Sequence, residues 1–594
     1  MPEHTVDKSA RRDPAGGGPF VDLGDGEYVS SRPSHRFPVY TRGNAGEVYP
    51  EVTTPLSYSL AFEAGEQAMR NAFIRTGLTR PGDFDEEDTA VTSGVFGGYA
   101  YLNLSFNRVI ATRMPGGRAE DVDRAYMGAA DPPPHDPHPD DRSLRASLRG
   151  LRYLWRTVRI HDLPELEGDV RRVEIFTESL ADPVTATDDE LRDTLIGFSD
   201  FFAGLFETHL VISGQAGVAV AGLARHCEQK FGDPGLANQL LGGIGEVESA
   251  APSTALWDLG RMVRDDPLLT AEFDAGVNGL LTRLDAAPGA EAFLTRFGDF
   301  LARYGSRGPN EWDTYFDTWE TAPEMALALV DRMRTAEPDH EPALRSGELG
   351  GKRRELEARL GQRLRGPSRR LFHRLTTSSR VLSQGRERSK TTVIAAIHAV
   401  RLRALELDRR VTERSGGSPR DMWFVTVDEL DDYLTNPLGF ADLIAERRRV
   451  RDMLSVLEPP FFFDGEIPPP REWAHRDRAG RRVGVGTELE GLPGCPGLAR
   501  GRARVVTDPS DPGSLGPGDV LVAPITDPSW TPLFVPAEAV VVDVGAVMSH
   551  AVIVSRELGI PCVVSVTDAT RTIPDGALIE VDGDKGTVRI IELP

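Results

Sequence analysis

The chain has 594 residues, of which 40% are hydrophobic and 27% are charged, which excludes a fibrous, collagen-like or wholly disordered protein. Its length is about four times that of a typical single domain and predicts two or three independent cores. The 68 Lys and Arg residues against 91 Asp and Glu residues leave a net charge of −23, which disfavours nucleic acid and anionic lipid as partners.

Residues 1–40 are rich in Gly, Pro and charge and predict a flexible N-terminal arm, because they offer little apolar surface to bury. The sequence has no apolar run typical of a secretion signal or a membrane span. Its three cysteines, Cys227, Cys495 and Cys562, are too few and too far apart for a disulfide framework or a cysteine-rich zinc site. We therefore expect a cytoplasmic protein with no metal bound.

Residues 41–480 predict one large helical domain. Apolar residues recur at three- and four-residue spacings in several long segments. These segments are residues 144–160, 189–212, 256–269 and 391–411. Proline-rich stretches at 131–141 and 335–351 predict exposed loops, and MWFVTV at 422–427 predicts a short strand.

The composition and the hydrophobic periodicity of the sequence change after this region. Residues 481–494 contain enough Gly for large backbone rotations and predict a hinge. Residues 495–594 replace helical periodicity with short Val and Ile runs separated by Gly and Pro, and they contain one clear helix, which begins at Ser549 and stops at Gly559. The predicted fold is therefore multidomain, with a large mostly α-helical domain followed by a small α/β domain.

The most distinctive motif is VVVDVGAVMSHAVIVSRELGIPCVV, residues 540–564. An apolar strand ends at Asp543, Gly545 permits a turn, Ser549 stands at the expected N-cap, and His550 falls in the first helical turn. Free backbone N–H groups at such a helix start favour phosphate, and an imidazole there is positioned to carry a phosphoryl group covalently. The alternative is a helix-start histidine satisfied by a backbone carbonyl.

These residues resemble the phosphohistidine swivelling domain of the phosphoenolpyruvate-utilising enzymes. The family includes phosphoenolpyruvate synthase, pyruvate phosphate dikinase and the rifampicin phosphotransferases. The resemblance extends through GLARGRARVV, DVLVAPITDPSWTPLF and IEVDGDKGTVRI, and it implies that His550 is phosphorylated from a nucleotide-binding domain before the small domain swings to a second site. The sequence departs from the family at Gly545-Ala546, at Ser555 and at Ser565, where small residues replace small residues.

The segment TDPSWTPLF, residues 526–534, distinguishes subfamilies. It is closer to rifampicin-phosphotransferase-like and phenylphosphate-synthase-like members than to the pyruvate dikinases. Its Thr526, Asp527 and Trp530 are candidate domain-motif residues, with the alternative that they close a turn and fill the core.

The helical domain carries weaker resemblances to the substrate-binding domain of the same proteins. They lie in NAGEVYPEVTTPLSYS (44–59) and YGSRGPNEWD (304–313), and they imply substrate-binding roles for Glu47, Arg307 and Glu311.

A third resemblance lies in GRERSK, residues 385–390. It places Arg386 and Lys390 one helical turn apart, with Glu387 beside them. Two cations and a carboxylate suit phosphoryl transfer, because the cations neutralise the migrating group and the carboxylate accepts the hydroxyl proton. The alternative is a solvated charged face.

The family usually carries an ATP-grasp domain of about three hundred residues, for which the sequence offers no room before residue 44, and no Walker-type phosphate loop occurs. The resemblance therefore implies that ATP and Mg²⁺ bind to a separate ATP-grasp partner. Because the C-terminal domain extends to residue 594, we also expect the phosphoenolpyruvate-binding barrel of the dikinases to be missing.

Three hypotheses follow. The first is the substrate-binding and phosphohistidine component of a split ATP-dependent phosphotransferase, which passes a phosphoryl group from His550 to a hydroxyl of a small molecule. The second is a non-catalytic phosphocarrier or regulatory binding protein. The third is an enzyme in which His550 acts as a general base without phosphate.

Overall fold

The computed structural model describes residues 20–594 except residues 25, 85–89, 128–131, 246–250, 339–340, 477, 479–482, 510–512 and 546–548. A mostly helical part, residues 20–478, precedes a small α/β part, residues 483–594. We call these parts the helical domain and the C-terminal domain. This architecture confirms the predicted fold class.

The helical domain is built around two long helices that pack against each other, Phe198–Phe231 and Gly366–Ser415. Each ends at a glycine in the left-handed conformation, Gly232 with φ 81° and Gly416 with φ 74°, which is the usual helix stop. The α-helices of four or more residues are Ala45–Val48, Glu63–Thr76, Leu104–Arg113, Ala119–Met127, Leu144–Thr157, Pro164–Ser179, Asp188–Ile196, Phe198–Phe231, Leu236–Gln239, Ala251–Asp265, Pro267–Asp274, Leu280–Asp285, Glu291–Tyr304, Pro323–Thr335, Pro342–Arg363, Gly366–Ser415, Leu430–Thr435 and Ala441–Ser455.

Two of the predicted helical segments are each split into two helices. The segment 189–212 breaks at Gly197. The segment 256–269 breaks where the Asp266 carboxylate accepts hydrogen bonds from the backbone N–H groups of Leu268 and Leu269 and so caps a new helix.

The predicted flexible arm differs from the structure over residues 20–40. Strands Phe20–Asp22 and Glu27–Val29 form a hairpin, and Val39–Thr41 lies inside a four-stranded sheet between Tyr99–Asn103 and Phe462–Asp464. Strand Ser93–Phe96 completes that sheet. Apolar residues of this region, such as Tyr28 and Tyr40, are fully buried, so the segment finds its core in distant parts of the chain. Residues 1–19 lie outside the described residues.

Two local predictions in the helical domain are wrong. Residues 421–424, predicted as part of a strand, form a 3₁₀ turn whose Trp423 is fully buried. The segment 335–351, predicted as an exposed loop, is helical from Pro342 onward. Proline is tolerated at the first helical position because a backbone N–H there would have no hydrogen-bond partner within the helix.

The C-terminal domain contains a mixed sheet of eight strands. Four neighbouring strands pair in parallel: Leu498–Val505, Asp519–Ala523, Ala539–Val542 and Cys562–Val564. The pairings on either side of these four strands are antiparallel. In spatial order the strands are Leu492–Cys495, Cys562–Val564, Ala539–Val542, Asp519–Ala523, Leu498–Val505, Leu578–Asp582, Thr587–Glu592 and Glu488–Glu490. The predicted hinge 481–494 thus differs from the structure, because its second half supplies two strands of this sheet. Helices Thr531–Phe534, His550–Leu558 and Ala569–Thr572 complete the domain.

The C-terminal domain is docked on the helical domain through a shared apolar core. Trp530, Leu533 and Phe534 pack in the same buried cluster as Leu256 and Trp257 of the helical domain. This contact positions helix His550–Leu558, which we call the motif helix, against the helical domain. In the part of the chain that the structure describes, no single helix has the length and apolar character needed to cross a membrane. Helices 188–196 and 198–231, which are bent relative to each other, have that length and character only when they are counted as one segment.

Candidate functional site

The motif helix begins as the sequence predicts. Strand Ala539–Val542 leads to helix His550–Leu558, Ser549 occupies the extended N-cap position, and Gly559 ends the helix with φ 69°. The Ser549 hydroxyl makes no capping hydrogen bond and is buried without a partner among the described residues. A side chain at Gly545 would meet Val564 Cβ at 3.0 Å, so close packing explains the glycine.

His550 is buried and held by two threonines. Its Nδ1 lies 3.2 Å from Thr526 Oγ1 and its Nε2 lies 3.0 Å from Thr531 Oγ1. Burial, together with the positive charges of Lys390 and Arg307, holds the pKa of His550 well below its usual range. The imidazole is therefore neutral at pH 7, and a neutral ring nitrogen is the form that can attack phosphorus.

The other motif residues of the TDPSWTPLF segment divide between the cavity and the core. Asp527 lines the cavity described below; its Oδ1 accepts a 2.8 Å hydrogen bond from Ser529 N, and its Oδ2 accepts one of 3.4 Å from Asn310 N of the helical domain. Burial, with the Glu311 carboxylate nearby, raises the pKa of Asp527 to about 6. Trp530 is a core residue at the domain contact.

The long helix Gly366–Ser415 carries the predicted charged triad to the same place. Arg386, Glu387 and Lys390 all line the cavity that His550 lines. Glu387 is only 6% exposed. Because residues four apart share one face of a helix, Arg386 and Lys390 present their charges together.

Glu311 joins Lys390 to a second cation. Its Oε1 lies 3.0 Å from Lys390 Nζ and 3.0 Å from Arg307 Nη1, and Arg307 also donates to Thr391 Oγ1 at 2.5 Å. Burial alone would raise the pKa of Glu311, but Arg307 and Lys390 outweigh it and hold that pKa below its usual range. Arg307 is not among the lining residues and is linked to the cavity through Glu311.

The loop that carries Glu311 is fixed by an arginine that sequence reasoning missed. The fully buried Arg401 donates from Nη2 to the backbone oxygens of Glu311 at 2.7 Å and Asp313 at 3.0 Å. Its Nη1 lies 3.2 Å from Nδ1 of His398. No motif points to Arg401, since it lies 90 residues from Glu311 and acts on backbone atoms.

The cavity has a volume of about 220 Å³ and combines an aromatic wall with the charged groups. Its aromatic lining residues are Tyr49, Phe62, Tyr101, Phe202, Phe206 and Trp312. His209, a second lining residue missed from the sequence, has its Nδ1 2.9 Å from Ser389 Oγ. Burial, with Arg386 and Lys390 nearby, lowers the pKa of His209 to about 3, so this imidazole is also neutral.

The structure thus gathers eight predicted residues around one cavity. They are Glu47, Glu311, Arg386, Glu387, Lys390, Thr526, Asp527 and His550. Four others, Arg307, Trp530, Gly545 and Ser549, do not line it. The described residues contain no group of three or more His, Cys, Asp or Glu side chains arranged to hold a metal ion.

We expect Glu311→Gln to destabilise the helical domain by about 3–5 kcal/mol, because it leaves two cations facing each other in a buried site without their shared carboxylate. The measurement is the shift of the unfolding midpoint in urea. The exposed Glu324→Gln, which makes the same chemical change on helix Pro323–Thr335, serves as control and should shift the midpoint little. Equal shifts in the two variants would show that Glu311 does not neutralise the cations.

The fold and the site define a two-part protein in which a docked α/β domain presents a buried helix-start histidine to a cavity in a helical domain. Residues 209–387 match the fourth domain of rifampicin phosphotransferase, and residues 515–586 match the mobile domain of the PEP-utilising enzymes. These two matches confirm the predicted resemblance to the PEP-utilising enzymes and to the rifampicin phosphotransferases.

Several curated proteins are similar along much of the chain. The prodigiosin synthesizing transferase PigC of Serratia marcescens is 27% identical over 574 residues, which cover 93% of this chain and 63% of that protein. The rifampicin phosphotransferase of Streptomyces sviceus is 31% identical over 61% of this chain and 42% of that protein. The rifampicin phosphotransferase of Bacillus cereus is 27% identical over 65% of this chain and 45% of that protein. The chain therefore spans less than two thirds of the length of these relatives.

Proposed function

We propose that this chain carries a phosphoryl group on His550 and transfers it to a hydroxyl of a small molecule bound in the 220 Å³ cavity. The observation that carries the proposal is that His550 lines one cavity with Arg386, Glu387 and Lys390. These side chains come from separate domains, and a cluster of cations and a carboxylate around a neutral imidazole suits phosphoryl transfer.

In the proposed step, the acceptor oxygen attacks phosphorus as the N–P bond to His550 breaks. The electron pair of that bond returns to the imidazole nitrogen, and the hydroxyl proton passes to the Glu387 carboxylate. Lys390 and Arg386 stabilise the charge on the phosphoryl oxygens during transfer. Phosphorylation of either ring nitrogen replaces one of the two threonine hydrogen bonds, to Thr526 or to Thr531.

The lining favours an acceptor with a flat, mostly apolar body. Phe202, Phe206 and Trp312 offer ring faces and edges for stacking, whereas Glu47 and Lys390 offer polar contacts. The substrate class that fits is therefore a small aromatic compound bearing a hydroxyl group. The similarity to proteins named rifampicin phosphotransferase supports a phosphotransferase activity.

The phosphoryl donor in this proposal is a separate ATP-grasp protein, which binds ATP and Mg²⁺ and phosphorylates His550. The C-terminal domain would undock from the helical domain to reach that partner. Hinge motion about residues 483–487, which precede the first strand of the C-terminal domain, would provide the required rotation.

Phosphorylation can be tested by incubating the purified chain with labelled ATP, alone and with a candidate ATP-grasp protein. We expect an acid-labile label on the chain only in the mixture. Efficient labelling of the chain alone would contradict the need for a partner, and absence of a label in every mixture that phosphorylates a known relative would favour the general-base alternative.

Addition of small phenols to the labelled chain tests the transfer step. Release of the label onto a phenol supports the phosphotransferase. A stable label in the presence of bound phenol would instead support the phosphocarrier or regulatory protein.

A further inference from the structure

A second cavity of about 490 Å³ lies where the two domains meet. One wall is helix Pro342–Arg363 of the helical domain, and the opposite wall contains Cys495, Arg556 and Gly559 of the C-terminal domain. We call it the interdomain cleft. None of the described residues lines both this cleft and the cavity at His550.

The lining of the interdomain cleft is strongly basic. Among the described residues, it contains Lys352, Arg353, Arg359 and Arg556 but only one acidic side chain, Glu355. The chain as a whole has a net charge of −23, so this concentration of positive charge opposes the average. A recess lined by one sign of charge attracts ions of the opposite sign.

Two of these arginines are buried without full neutralisation. Arg353 is 9% exposed, its Nε has no hydrogen-bond partner, and its Nη1 lies 3.9 Å from Glu357 Oε2. Arg556 is 6% exposed, its Nε donates to Val552 O within its own helix at 3.3 Å, and no ion pair among the described residues includes it. Buried guanidinium groups are normally paired, so these two are suited to an anionic ligand.

We propose that the interdomain cleft binds a small phosphate-bearing anion, such as a diphosphate or a phosphorylated metabolite, between Arg353 and Arg556. Arginine suits this ligand because its planar donors match two phosphate oxygens at once. The volume lies in the range that holds small organic ligands, so the cleft has room for a group attached to the phosphate.

The position of the cleft gives the ligand a regulatory effect, a consequence that rests on the proposed function. Because its walls come from both domains, the complete site exists only in the docked arrangement. A ligand that binds one of two states shifts the population toward that state. The anion therefore holds His550 at the acceptor cavity and slows its return to the phosphoryl donor.

Calorimetric titration of the full chain with inorganic pyrophosphate, without ATP or acceptor, tests the site. We expect binding by the wild type that is weakened at least tenfold in Lys352→Ala/Arg359→Ala, a pair of exposed residues whose loss leaves the core unchanged. The matched control is Arg354→Ala/Arg363→Ala, which removes two exposed charges of the same helix outside the lining and should bind as the wild type does.

Further variants separate this site from the acceptor cavity. His550→Ala should keep the wild-type affinity for pyrophosphate, and Arg353→Gln, checked for an unchanged circular dichroism spectrum, should lose at least tenfold. No binding by the wild type, or equal losses in the two double variants, would overturn the proposal. Neither result would bear on phosphorylation of His550, which the ATP labelling measures independently.

Discussion

We expect His550→Ala to abolish phosphoryl transfer to any acceptor, because the variant has no nucleophile at the motif helix to form the phosphorylated intermediate. The Thr526 and Thr531 hydroxyls would remain, but they do not replace an imidazole. Intact-mass measurement after incubation with ATP and a candidate ATP-grasp partner should show a phosphoryl group on the wild type and none on the variant. Product formation should fall to background.

The control for this variant is His373→Ala, which removes a half-exposed histidine of helix Gly366–Ser415 that does not line the cavity. It should be phosphorylated as the wild type is. Because His550 packs beside Phe534 in the docked domain, melting curves of both variants establish that the fold is intact. Normal turnover by His550→Ala would remove the carrier role from this residue.

Lys390→Ala should lower turnover about 10²- to 10³-fold, the range found for loss of one preorganised group that stabilises charge in a transition state. Lys390 contacts Glu311 at 3.0 Å and faces the cavity that His550 lines, so its charge acts in a site with little water. Acceptor binding should change much less than turnover, because the charge on the phosphoryl group develops during transfer. Single-turnover measurement from the phosphorylated chain isolates this step.

Arg388→Ala is the matched control on the same helix. Arg388 pairs with Glu167 on the outer surface and is absent from the cavity lining, so its loss removes one positive charge without touching the site. Arg386→Ala should resemble Lys390→Ala, and Glu387→Gln should slow transfer by removing the proton acceptor. If Lys390→Ala and Arg388→Ala slowed transfer equally, the effect would be one of net charge, and the proposed role of the cavity cation would be wrong.

Local sequence signals predicted the motif helix well. An apolar strand, the glycine after it, Ser549 at the N-cap and Gly559 at the C-terminus all act within a few residues of each other. The glycine was predicted to permit a turn, whereas the structure shows close packing against Val564 at Gly545. The family resemblance located the departure at Ser565 but not its geometry. Ser565 has a φ of 55°, a left-handed conformation that favours glycine, and its hydroxyl donates to the backbone oxygen of Gly545.

Other elements were beyond local patterns. Strand Val39–Thr41 pairs with Phe462–Asp464, more than four hundred residues away, and no neighbouring residues signal that partner. MWFVTV has strand-forming side chains, yet burial of Trp423 against the helical core favours a 3₁₀ turn. His209 and Thr531 were missed because their contacts to Ser389 and to His550 join residues 180 and 19 positions apart in the sequence.

The sequence by itself determined that residues 41–480 are mostly helical, that residues 495–594 have α/β character and that a histidine stands at the start of the motif helix, because periodicity and capping are local interactions. Only the tertiary structure decided that Glu311 is shared between Arg307 and Lys390, that Arg401 fixes its loop, and that side chains of both domains line one cavity. Those contacts depend on how whole helices pack, and the burial that shifts the pKa values of the site exists only after that packing.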